Sequence, residues 1–527
     1  MVGEHDARPT RAMLADGDPT ATAGKEATPE REGVARSFAP CTGRDGMTLP
    51  APSGDRSEAS VLSLRPELER GRRLTDLGNA ERLVMRHGHD LRYCAAIGAW
   101  LVWDGARFRP DDSGEVSRRM KETTLSLYTE AADGTSADDR AALVKHAVAS
   151  ERAPRIKDAI DMAKTDLEVQ VRPEDLDSDP MLFNVANGII DLRTGKLLPH
   201  SRDALCTKLA PVALENAQCP RFMQFLDEIF AGDAEIIGFI QRLIGYSMTG
   251  DTTEQCFALL YGTGANGKTT LLSVMRLLFG DYHTASDFGT FLERHAQGPR
   301  NDVARLRGAR VVVSSESGEG KRFDESLLKS LTGGDRIAAR QLYREATEFD
   351  VTFKLWLAAN HRPDIRGVDE GIWRRVRLIP FDTQIPEAER DPNLLDALKA
   401  ELSGILGWAL DGCLSWQREG LGTPGRVLLA TADYREESDV LGTFLGDCCE
   451  IGAGYSVSAS LLFTSYQAWA GHNGLRPMSN TAFGRKLGDR HFGTVRESVG
   501  TVRLGIRLSE DRRENYRIVP HSSERFL

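Results

Sequence analysis

One stretch of sequence, from Cys256 to Thr270, constrains the fold more than any other. A continuous apolar run at residues 256–261 predicts a strand that is buried on both faces. It leads directly into the pattern G-x-x-x-x-G-K-T, after which apolar residues recur at helical spacing until Gly280. A glycine-rich loop between a strand and a helix N-terminus favours an anion, because backbone N–H groups and the helix dipole face it. The stretch therefore predicts a phosphate-binding loop.

The loop defines the candidate nucleotide-binding residues. They are nine consecutive positions: Gly262, Thr263, Gly264, Ala265, Asn266, Gly267, Lys268, Thr269 and Thr270. Lys268 is expected to reach the β and γ phosphates, and Thr269 to hold Mg²⁺. The alternative is a glycine-rich turn that matches by chance, and the flanking strand and helix argue against it. We therefore expect a nucleoside triphosphate and Mg²⁺ as ligands.

Three later apolar runs predict further strands, two of which end in a polar side chain. The run at 310–316 ends in Glu316, and the run at 353–360 ends in Asn360. A carboxylate at a strand end beside the loop can hold Mg²⁺ or polarise a water molecule, and an amide can orient that water. The last run, 376–381, follows Arg374 and Arg375. Each feature alone is compatible with a surface or capping residue, but their order favours a nucleoside triphosphatase of the α/β class.

Composition limits the remaining possibilities. The chain has 527 residues, enough for about three domains, and no apolar run approaches the ~18 residues of a membrane span. The first residues lack the apolar core of a secretion signal, and none of the eight cysteines forms a C-x-x-C pair. We therefore expect a cytoplasmic protein without a zinc site or membrane contact. The formal net charge of −10 indicates that any contact with nucleic acid is local.

The part before the loop divides into three predicted regions. Residues 1–72 are rich in Ala, Gly, Pro and charged residues and are expected to be a disordered tail, of no specific function rather than a binding tail. Residues 73–205 mix helices with short strands, including a hairpin with a two-residue turn at Asp104-Gly105. His146 in this region is interpreted as a core or surface residue rather than a ligand. Residues 206–250 are expected to form a helical collar before a nucleotide domain at 251–385.

The part after the nucleotide domain contains a helical segment, 386–440, and a separate unit, 441–527. That unit reads as one helix, a second helix capped by Ser479, and paired strands at 494–496 and 502–508. Helix, helix and hairpin is a winged-helix order. Residues 476–513 contain nine Arg or Lys against four Asp or Glu, a local basic excess that is typical of phosphate contacts. The candidate DNA-binding residues here are Arg485, Lys486, Arg496 and Arg503; a packing module for a ring is the alternative.

Together these motifs resemble a known family. The order G-x-x-x-x-G-K-T, V-V-V-S-S-E, L-L-K-S-L-T-G-G-D, A-A-R-Q-L-Y, W-L-A-A-N-H-R-P and G-I-W-R-R-V-R-L-I-P-F is similar to that of the superfamily 3 helicases. More narrowly it resembles the primase-helicases of satellite phages and plasmids and their poxvirus relatives, from about residue 75 to the C-terminus. The resemblance implies an AAA+-type ATPase with a mixed α+β N-terminal domain, a collar and a C-terminal winged helix. It also implies a hexameric ring that uses ATP and Mg²⁺ to unwind DNA in the 3′→5′ direction.

The resemblance also implies roles for individual residues. Lys268 and Thr269 match the phosphate and Mg²⁺ positions, Glu316 the catalytic acid and metal ligand, and Asn360 the polar sensor. Arg374 or Arg375 matches an arginine finger that reaches into a neighbouring subunit. Lys329 and the turn after it match the motif before a central-channel hairpin at 337–351. The residues that this match places near DNA are Lys329, Arg340, Tyr343 and Arg344.

Two departures from the family pattern stand out. Many relatives carry adjacent acids at the end of the second strand, whereas here Ser315 precedes the single acid Glu316. Serine can still order a metal-bound water, so activity remains the expectation. Relatives named primases carry a separate catalytic domain near the N-terminus, and residues 1–72 offer no paired carboxylates on a strand. We therefore expect a helicase without a primase domain of its own.

Three functions compete at this point. The leading hypothesis is a DNA-dependent ATPase and helicase that replicates a phage, plasmid or integrated element. It would act on single-stranded and forked DNA as a homo-hexamer, and a separate primase or replication-initiation protein is a further candidate partner. A regulatory or defence ATPase that binds DNA without processive unwinding is the second. A phosphotransferase is the third, and it is disfavoured because no acceptor motif accompanies the loop.

Overall fold

The computed structural model describes residues 73–294, 300–316, 322–340, 346–365, 370–475, 477–498 and 500–509. The predicted tail at 1–72 lies outside them, as do Tyr343 and Arg344. For Arg340 only the backbone is described. The domain boundaries derived from the sequence stay predictions.

The N-terminal part combines helices with two small antiparallel sheets. The helices are α1 (Asp76–His87), α2 (Glu115–Ala132), α3 (Ala137–Ser150) and α4 (Ala153–Ala163). One sheet contains β1 (Leu91–Cys94), β2 (Ala99–Trp103) and β3 (Phe108–Pro110); the other contains β4 (Leu182–Val185), β5 (Gly188–Asp191) and β6 (Lys196–Leu198). A short 3₁₀ turn spans Gly88–Asp90.

Two sequence predictions for this part can be compared with the structure. The prediction of a two-residue turn at Asp104-Gly105 is wrong. Trp103 pairs with Phe108, so four residues connect the two strands. The Asp104 carboxylate accepts the N–H groups of Ala106 and Arg107, which stabilises this longer turn. His146 is buried, and its Nε2 lies 3.0 Å from Oδ1 of Asn79 on α1. This agrees with its interpretation as a core residue.

The next helices are α5 (Pro220–Phe230) and α6 (Ala234–Met248), where the sequence predicted a helical collar. Asp233 caps α6 by accepting the N–H groups of Glu235 and Ile236. Their apolar faces join the largest hydrophobic core, which also includes one face of the central sheet.

The central sheet has five parallel strands in the order β13-β7-β12-β9-β8. The strands and helices of this part of the chain are, in order, β7 (Phe257–Tyr261), α7 (Lys268–Phe279), β8 (His283–Ala285), α8 (Asn301–Ala304), β9 (Val311–Ser315), α9 (Glu325–Thr332), β10 (Arg336–Arg340), β11 (Ala346–Asp350), β12 (Lys354–Ala359), α10 (Glu370–Trp373) and β13 (Val376–Pro380). Strands β10 and β11 form a separate antiparallel pair. Short 3₁₀ turns span Gly280–Tyr282 and Phe288–Phe291. The strands predicted from the apolar runs are all present, and the sequence did not predict β8.

Alternation along the central strands explains why they read as continuous apolar runs. Ala258 and Leu260 of β7 face the core that includes α5 and α6, whereas Phe257 and Leu259 face a second core on the other side. Both faces of the sheet are therefore covered, as is usual for parallel sheets. The chain has a mixed α/β fold with a parallel sheet at its centre.

The C-terminal part begins with α11 (Leu394–Ala400), α12 (Leu402–Glu419) and α13 (Gly425–Ser438), after a 3₁₀ turn at Glu387–Glu389. It continues with α14 (Val440–Cys448), β14 (Cys449–Ser458), α15 (Ala459–His472), α16 (Asn480–Asp489), β15 (Thr494–Glu497) and β16 (Gly500–Leu508). Its three strands form an antiparallel sheet in the order β14-β16-β15. The predicted Ser479 cap of α16 is present, because its side chain accepts the N–H of Ala482. Helix α14 and strand β14 were not predicted.

Among the residues that the structure describes, no helix is long and apolar enough to cross a membrane.

Candidate nucleotide site

The register of the parallel sheet gathers three predicted groups at one edge. Tyr261, the last residue of β7, is aligned with Ala359, the last residue of β12. Ala358 is in turn aligned with Ser315, the last residue of β9. The glycine-rich loop (residues 262–267), Asn360 and Glu316 therefore leave three adjacent strands at their carboxyl ends. This is the edge at which open α/β sheets bind ligands.

Gly267 and Gly264 of the loop are required for different reasons. Gly267, directly before α7, has φ +83°, and a Cβ there would lie 2.4 Å from Cγ2 of Ile229 and 3.1 Å from the Phe225 ring. Gly264 has φ +108° and open space where a Cβ would be. Gly267 thus lets the start of α7 pack against α5. Gly264 supplies a backbone conformation that side chains rarely adopt.

Lys268 is the first residue of α7 and is almost fully buried. Its Nζ donates to the backbone oxygen of Gly262 at 2.5 Å and to Oδ1 of Asn266 at 3.2 Å. Both acceptors are neutral, and burial lowers the pKa of the Lys268 ammonium. A buried cation on neutral acceptors at the start of a twelve-residue helix favours an anion close by.

The segment after β13 forms hydrogen bonds with the glycine-rich loop and stabilises its conformation. Asn266 Nδ2 donates to the backbone oxygen of Phe381 at 3.0 Å. The N–H of Ile385 donates to the oxygen of Ala265 at 2.9 Å, and Gln384 Nε2 donates to Oγ1 of Thr263 at 2.8 Å. None of these contacts involves Thr269, whose side chain is exposed. The sequence did not indicate them, because they join residues more than a hundred positions apart.

Glu316 and Asn360 lie next to each other across β9 and β12. The N–H of Glu316 donates to the oxygen of Ala358 at 2.8 Å, which continues the strand pairing by one residue. Its Oε2 accepts the N–H of His361 at 3.3 Å. Asn360 is exposed at the end of β12. The structure thus brings the predicted acid, amide and loop together, while their chemical roles stay predictions.

The two adjacent arginines lie at the amino ends of the parallel strands, on the side of the sheet opposite to the loop. Val376 is aligned with Phe257, and the N–H of Phe257 donates to the backbone oxygen of Arg375, so both arginines precede the amino ends of the strands. A five-residue strand spans about 16 Å, which is longer than an arginine side chain. Neither arginine can therefore reach the glycine-rich loop of its own chain.

Burial distinguishes the two arginines. Arg374 is exposed, whereas Arg375 is 7% exposed and its Nη1 donates to the backbone oxygen of Gly371 at 2.5 Å. Arg375 holds the short helix α10 in place. Arg374 is the one that presents its side chain to the outside.

The predicted hairpin is present, with Arg336 aligned with Asp350 and Arg340 with Ala346. Lys329 lies on α9 before it and is half-buried. In the C-terminal unit Arg485 and Arg496 are exposed and Lys486 is half-buried. Arg503 differs from them, since its guanidinium donates to the oxygens of Gly484 and Phe492 at 2.6 and 3.1 Å. Among the described residues, no group of three or more His, Cys, Asp or Glu side chains forms a metal cluster.

Comparisons with known proteins agree with the motifs. Residues 80–231 match the family described as D5 N terminal like, and residues 260–375 match a family of unknown function, DUF5906. The second match covers the loop, Glu316, Asn360 and both arginines.

Viral proteins are similar over part of this chain. "Putative helicase L207/L206" of Acanthamoeba polyphaga mimivirus is 28% identical over 296 residues, which are 52% of this chain and 31% of that protein. "Putative helicase 022R" of Frog virus 3 is 24% identical over 56% of this chain and 39% of that protein. "Putative primase C962R" of African swine fever virus is 26% identical over 38% of this chain and 22% of that protein. The chain thus spans between a fifth and two fifths of the length of these relatives.

A solved structure of the NrS-1 C-terminal region covers 81% of this chain and 98% of its own, with a TM-score of 0.45 and 10% identity. The two family matches and the viral relatives confirm the resemblance seen in the motifs. The chain is related to the phage and viral primase-helicase family.

Proposed function

We propose that this protein is an ATP-dependent DNA helicase of superfamily 3 that replicates a phage, plasmid or integrated element. One observation carries the proposal: the glycine-rich loop, Glu316 and Asn360 share one edge of the sheet, while Arg374 lies exposed at the other. A site that is complete only with a neighbour's arginine is what a ring ATPase needs. The helicase names of the viral relatives support the same reading.

The residues present fit a nucleotide with Mg²⁺. The loop N–H groups and the buried Lys268 would hold the β and γ phosphates, and Thr269 with Glu316 would hold the metal. When bound, the metal supplies charge neutralisation on the transferred phosphoryl group. Glu316 would take a proton from the attacking water, and Asn360 would orient that water. Ser315, exposed beside Glu316, can order a metal-bound water in place of a second acid.

The ring would bring Arg374 of one subunit to the loop of the next. Arginine suits this position because its fork stays charged and meets phosphate oxygens in two directions. Fingers supplied by a neighbour are worth roughly 10³–10⁵ in rate in other nucleotide hydrolases. We assign the role to Arg374 rather than Arg375, since Arg375 is buried against Gly371.

DNA would be contacted in two places. The hairpin β10–β11 would face the channel with Arg340, Tyr343 and Arg344, following Lys329 on α9. The C-terminal unit has the element order of a winged helix, and its exposed cations Arg485 and Arg496 lie on α16 and β15. Lys486 can add to this surface. Arg503 serves mainly to hold β16 against α16 through its two carbonyl contacts.

The central test measures ATP hydrolysis with and without DNA, and strand displacement on forks of each polarity. DNA-stimulated hydrolysis with unwinding in the 3′→5′ direction is the expected result. Lys268→Ala should abolish hydrolysis, and Glu316→Gln should bind ATP but hydrolyse it slowly. Equal turnover of Glu316→Gln and the parent protein would contradict the catalytic assignment.

The alternative is a regulatory or defence ATPase that binds DNA without processive unwinding. The basic excess in the C-terminal unit is compatible with it, because phosphate contacts serve either function. DNA-stimulated hydrolysis without displacement on any fork would favour this alternative. Hydrolysis that DNA does not change would contradict both.

The shared site has its own test, a mixture of two inactive proteins. Lys268→Ala protein retains Arg374 and can donate the finger, whereas Arg374→Ala protein retains the loop and can donate the site. Where the two adjoin in a mixed ring, one complete site forms and hydrolysis should return. A mixture that stays inactive after confirmed subunit exchange would contradict a shared site.

A further inference from the structure

We infer that Tyr434, in the last turn of α13, is a positioning residue that couples the segment after Asn360 to Arg374. The inference rests on the proposed shared site. Tyr434 is 1% exposed and belongs to neither the loop nor the DNA-contacting elements. Its contacts nevertheless reach both edges of the central sheet.

The first set of contacts joins Tyr434 to the loop edge. Its hydroxyl donates to the backbone oxygen of Pro363, three residues after Asn360. The Arg362 guanidinium lies 5.8 Å from the centre of the Tyr434 ring and 4.7 Å from that of Tyr261, the residue directly before the loop. Arg362 Nη1 also pairs with Oε2 of Glu437, three residues further along α13. A shift of residues 360–363 would therefore change the contacts of Tyr434.

The second set joins Tyr434 to the arginine at the other edge. Its ring packs edge-on against Trp373, with ring centres 5.1 Å apart and planes at 79°. Trp373 ends α10 and directly precedes Arg374. The neighbouring Arg435 pairs with the Glu370 carboxylate at 2.7 Å, and the backbone oxygen of Glu370 accepts the N–H of Arg374 at 3.0 Å. The last turn of α13 thus holds α10 by a ring on one side and an ion pair on the other.

A third contact links the same turn to the C-terminal unit. Asp439, the residue after α13, caps α14 by accepting the N–H of Gly442 at 2.9 Å. Its other carboxylate oxygen pairs with Arg490 at the end of α16. The last turn of α13 therefore contacts three elements: the segment after Asn360, the helix before Arg374, and the end of α16, which carries a predicted DNA contact.

These contacts provide a path by which a change at the nucleotide site of one subunit can alter the nucleotide site of its neighbour. A change at Asn360, which adjoins the bound nucleotide's position, displaces Arg362 and Pro363. Tyr434 carries that displacement to Trp373, and Arg374 moves relative to the neighbouring subunit. Burial keeps the Tyr434 hydroxyl protonated by raising its pKa well above the usual range, so it stays a donor at all physiological pH.

The test uses the mixture of Lys268→Ala and Arg374→Ala proteins. Tyr434→Phe keeps the ring against Trp373 and removes only the bond to Pro363. Placed in the finger donor, Lys268→Ala, it should lower the recovered hydrolysis by about twofold to tenfold, the factor that corresponds to one buried hydrogen bond. Placed in the site donor, Arg374→Ala, it should lower recovery less than it does in the finger donor, because there it perturbs only the segment after Asn360 and that subunit has no finger to position.

Tyr282→Phe in the finger donor is the matched control. Tyr282 is 2% exposed and its hydroxyl accepts one backbone N–H, that of Asn184, at 3.1 Å, remote from Arg374. It should leave recovery unchanged. Equal losses from Tyr434→Phe in the two donors, or an equal loss from Tyr282→Phe, would overturn the positioning role while the shared site stands. No recovery in the parent mixture would overturn both.

Discussion

Replacing Gly267 by alanine tests whether the start of α7 needs close contact with α5. The Cβ would lie 2.4 Å from Cγ2 of Ile229, where ordinary carbon contacts are about 3.5–4.0 Å. Ile229 would have to move by more than about 1 Å, which typically costs 1–3 kcal/mol in a packed core. The backbone at φ +83° adds about 1–2 kcal/mol of strain. We expect a total loss of about 2–5 kcal/mol in the free energy of unfolding.

Gly264→Ala is the matched control for backbone strain alone. It also has a positive φ, +108°, but its Cβ would meet no atom within 4 Å. We expect only the strain cost of a sparsely populated backbone conformation, about 1–3 kcal/mol. The apparent Tm from scanning calorimetry should fall by about 2–4 °C per kcal/mol, so Gly267→Ala should melt clearly below Gly264→Ala.

A double-mutant cycle with Ile229→Ala isolates the crowding. Ile229→Ala alone leaves a cavity and should cost about 2–5 kcal/mol. In Gly267→Ala/Ile229→Ala the new methyl group occupies part of that cavity, so the combined loss should be smaller than the sum by about 1–3 kcal/mol. Additive losses, or equal effects of Gly264→Ala and Gly267→Ala, would refute the packing argument.

Three further outcomes are expected. Arg340→Ala and Arg344→Ala should lower strand displacement while basal ATP hydrolysis continues; loss of both activities with a normal fold would indicate a structural role instead. Burial, aided by nearby Arg276, lowers the pKa of His283 to about 4, so the unfolded chain binds a proton first as pH falls below about 6.5. Stability is then full above that pH and lost towards pH 4, by about 1 kcal/mol at pH 5; His283→Gln should flatten the pH dependence of Tm, and an unchanged slope would contradict it. These 527 residues should synthesise no primers on single-stranded template, and labelled oligonucleotide products would contradict that.

Local sequence predicted the elements whose signal is local. The apolar runs gave the strands β7, β9, β12 and β13, and Ser479 gave the start of α16. Strand β8 was missed because it has three residues and only a partly buried face. The turn at Asp104 was misjudged because its carboxylate stabilises a longer connection than Asp-Gly alone requires.

Contacts between distant residues could not be predicted in this way. Asn266 binds the oxygen of Phe381, 115 positions away, and the Tyr434 hydroxyl binds that of Pro363, 71 positions away. No spacing rule relates such residues, since the fold alone brings them together. The same limit applied to Arg374 and Arg375, which are equivalent in sequence and differ only in burial.

That difference in burial leads to the last prediction, which separates the two arginines by stability. Arg375→Ala removes a buried charged donor from the oxygen of Gly371 and the packing of its stem, so we expect a loss of about 1.5–3 kcal/mol or more. Its Tm should fall by several degrees. Arg374→Ala changes an exposed side chain and should stay within about 0.5 kcal/mol of the parent protein.

ATP hydrolysis should depend mainly on Arg374, whereas stability should depend mainly on Arg375. Arg374→Ala should lose activity with an unchanged Tm and regain it when mixed with Lys268→Ala, because only the finger is missing. Arg374→Lys should recover part of the rate, since it keeps the charge but not the two-pronged geometry. Arg375→Lys tests whether a cation at the buried position is enough to hold α10 in place. If instead Arg375→Ala folds normally and is rescued in the mixture while Arg374→Ala retains activity, the exposed arginine is not the finger. The buried side chain would then have to leave Gly371 to act, and burial would be the wrong criterion for choosing between them.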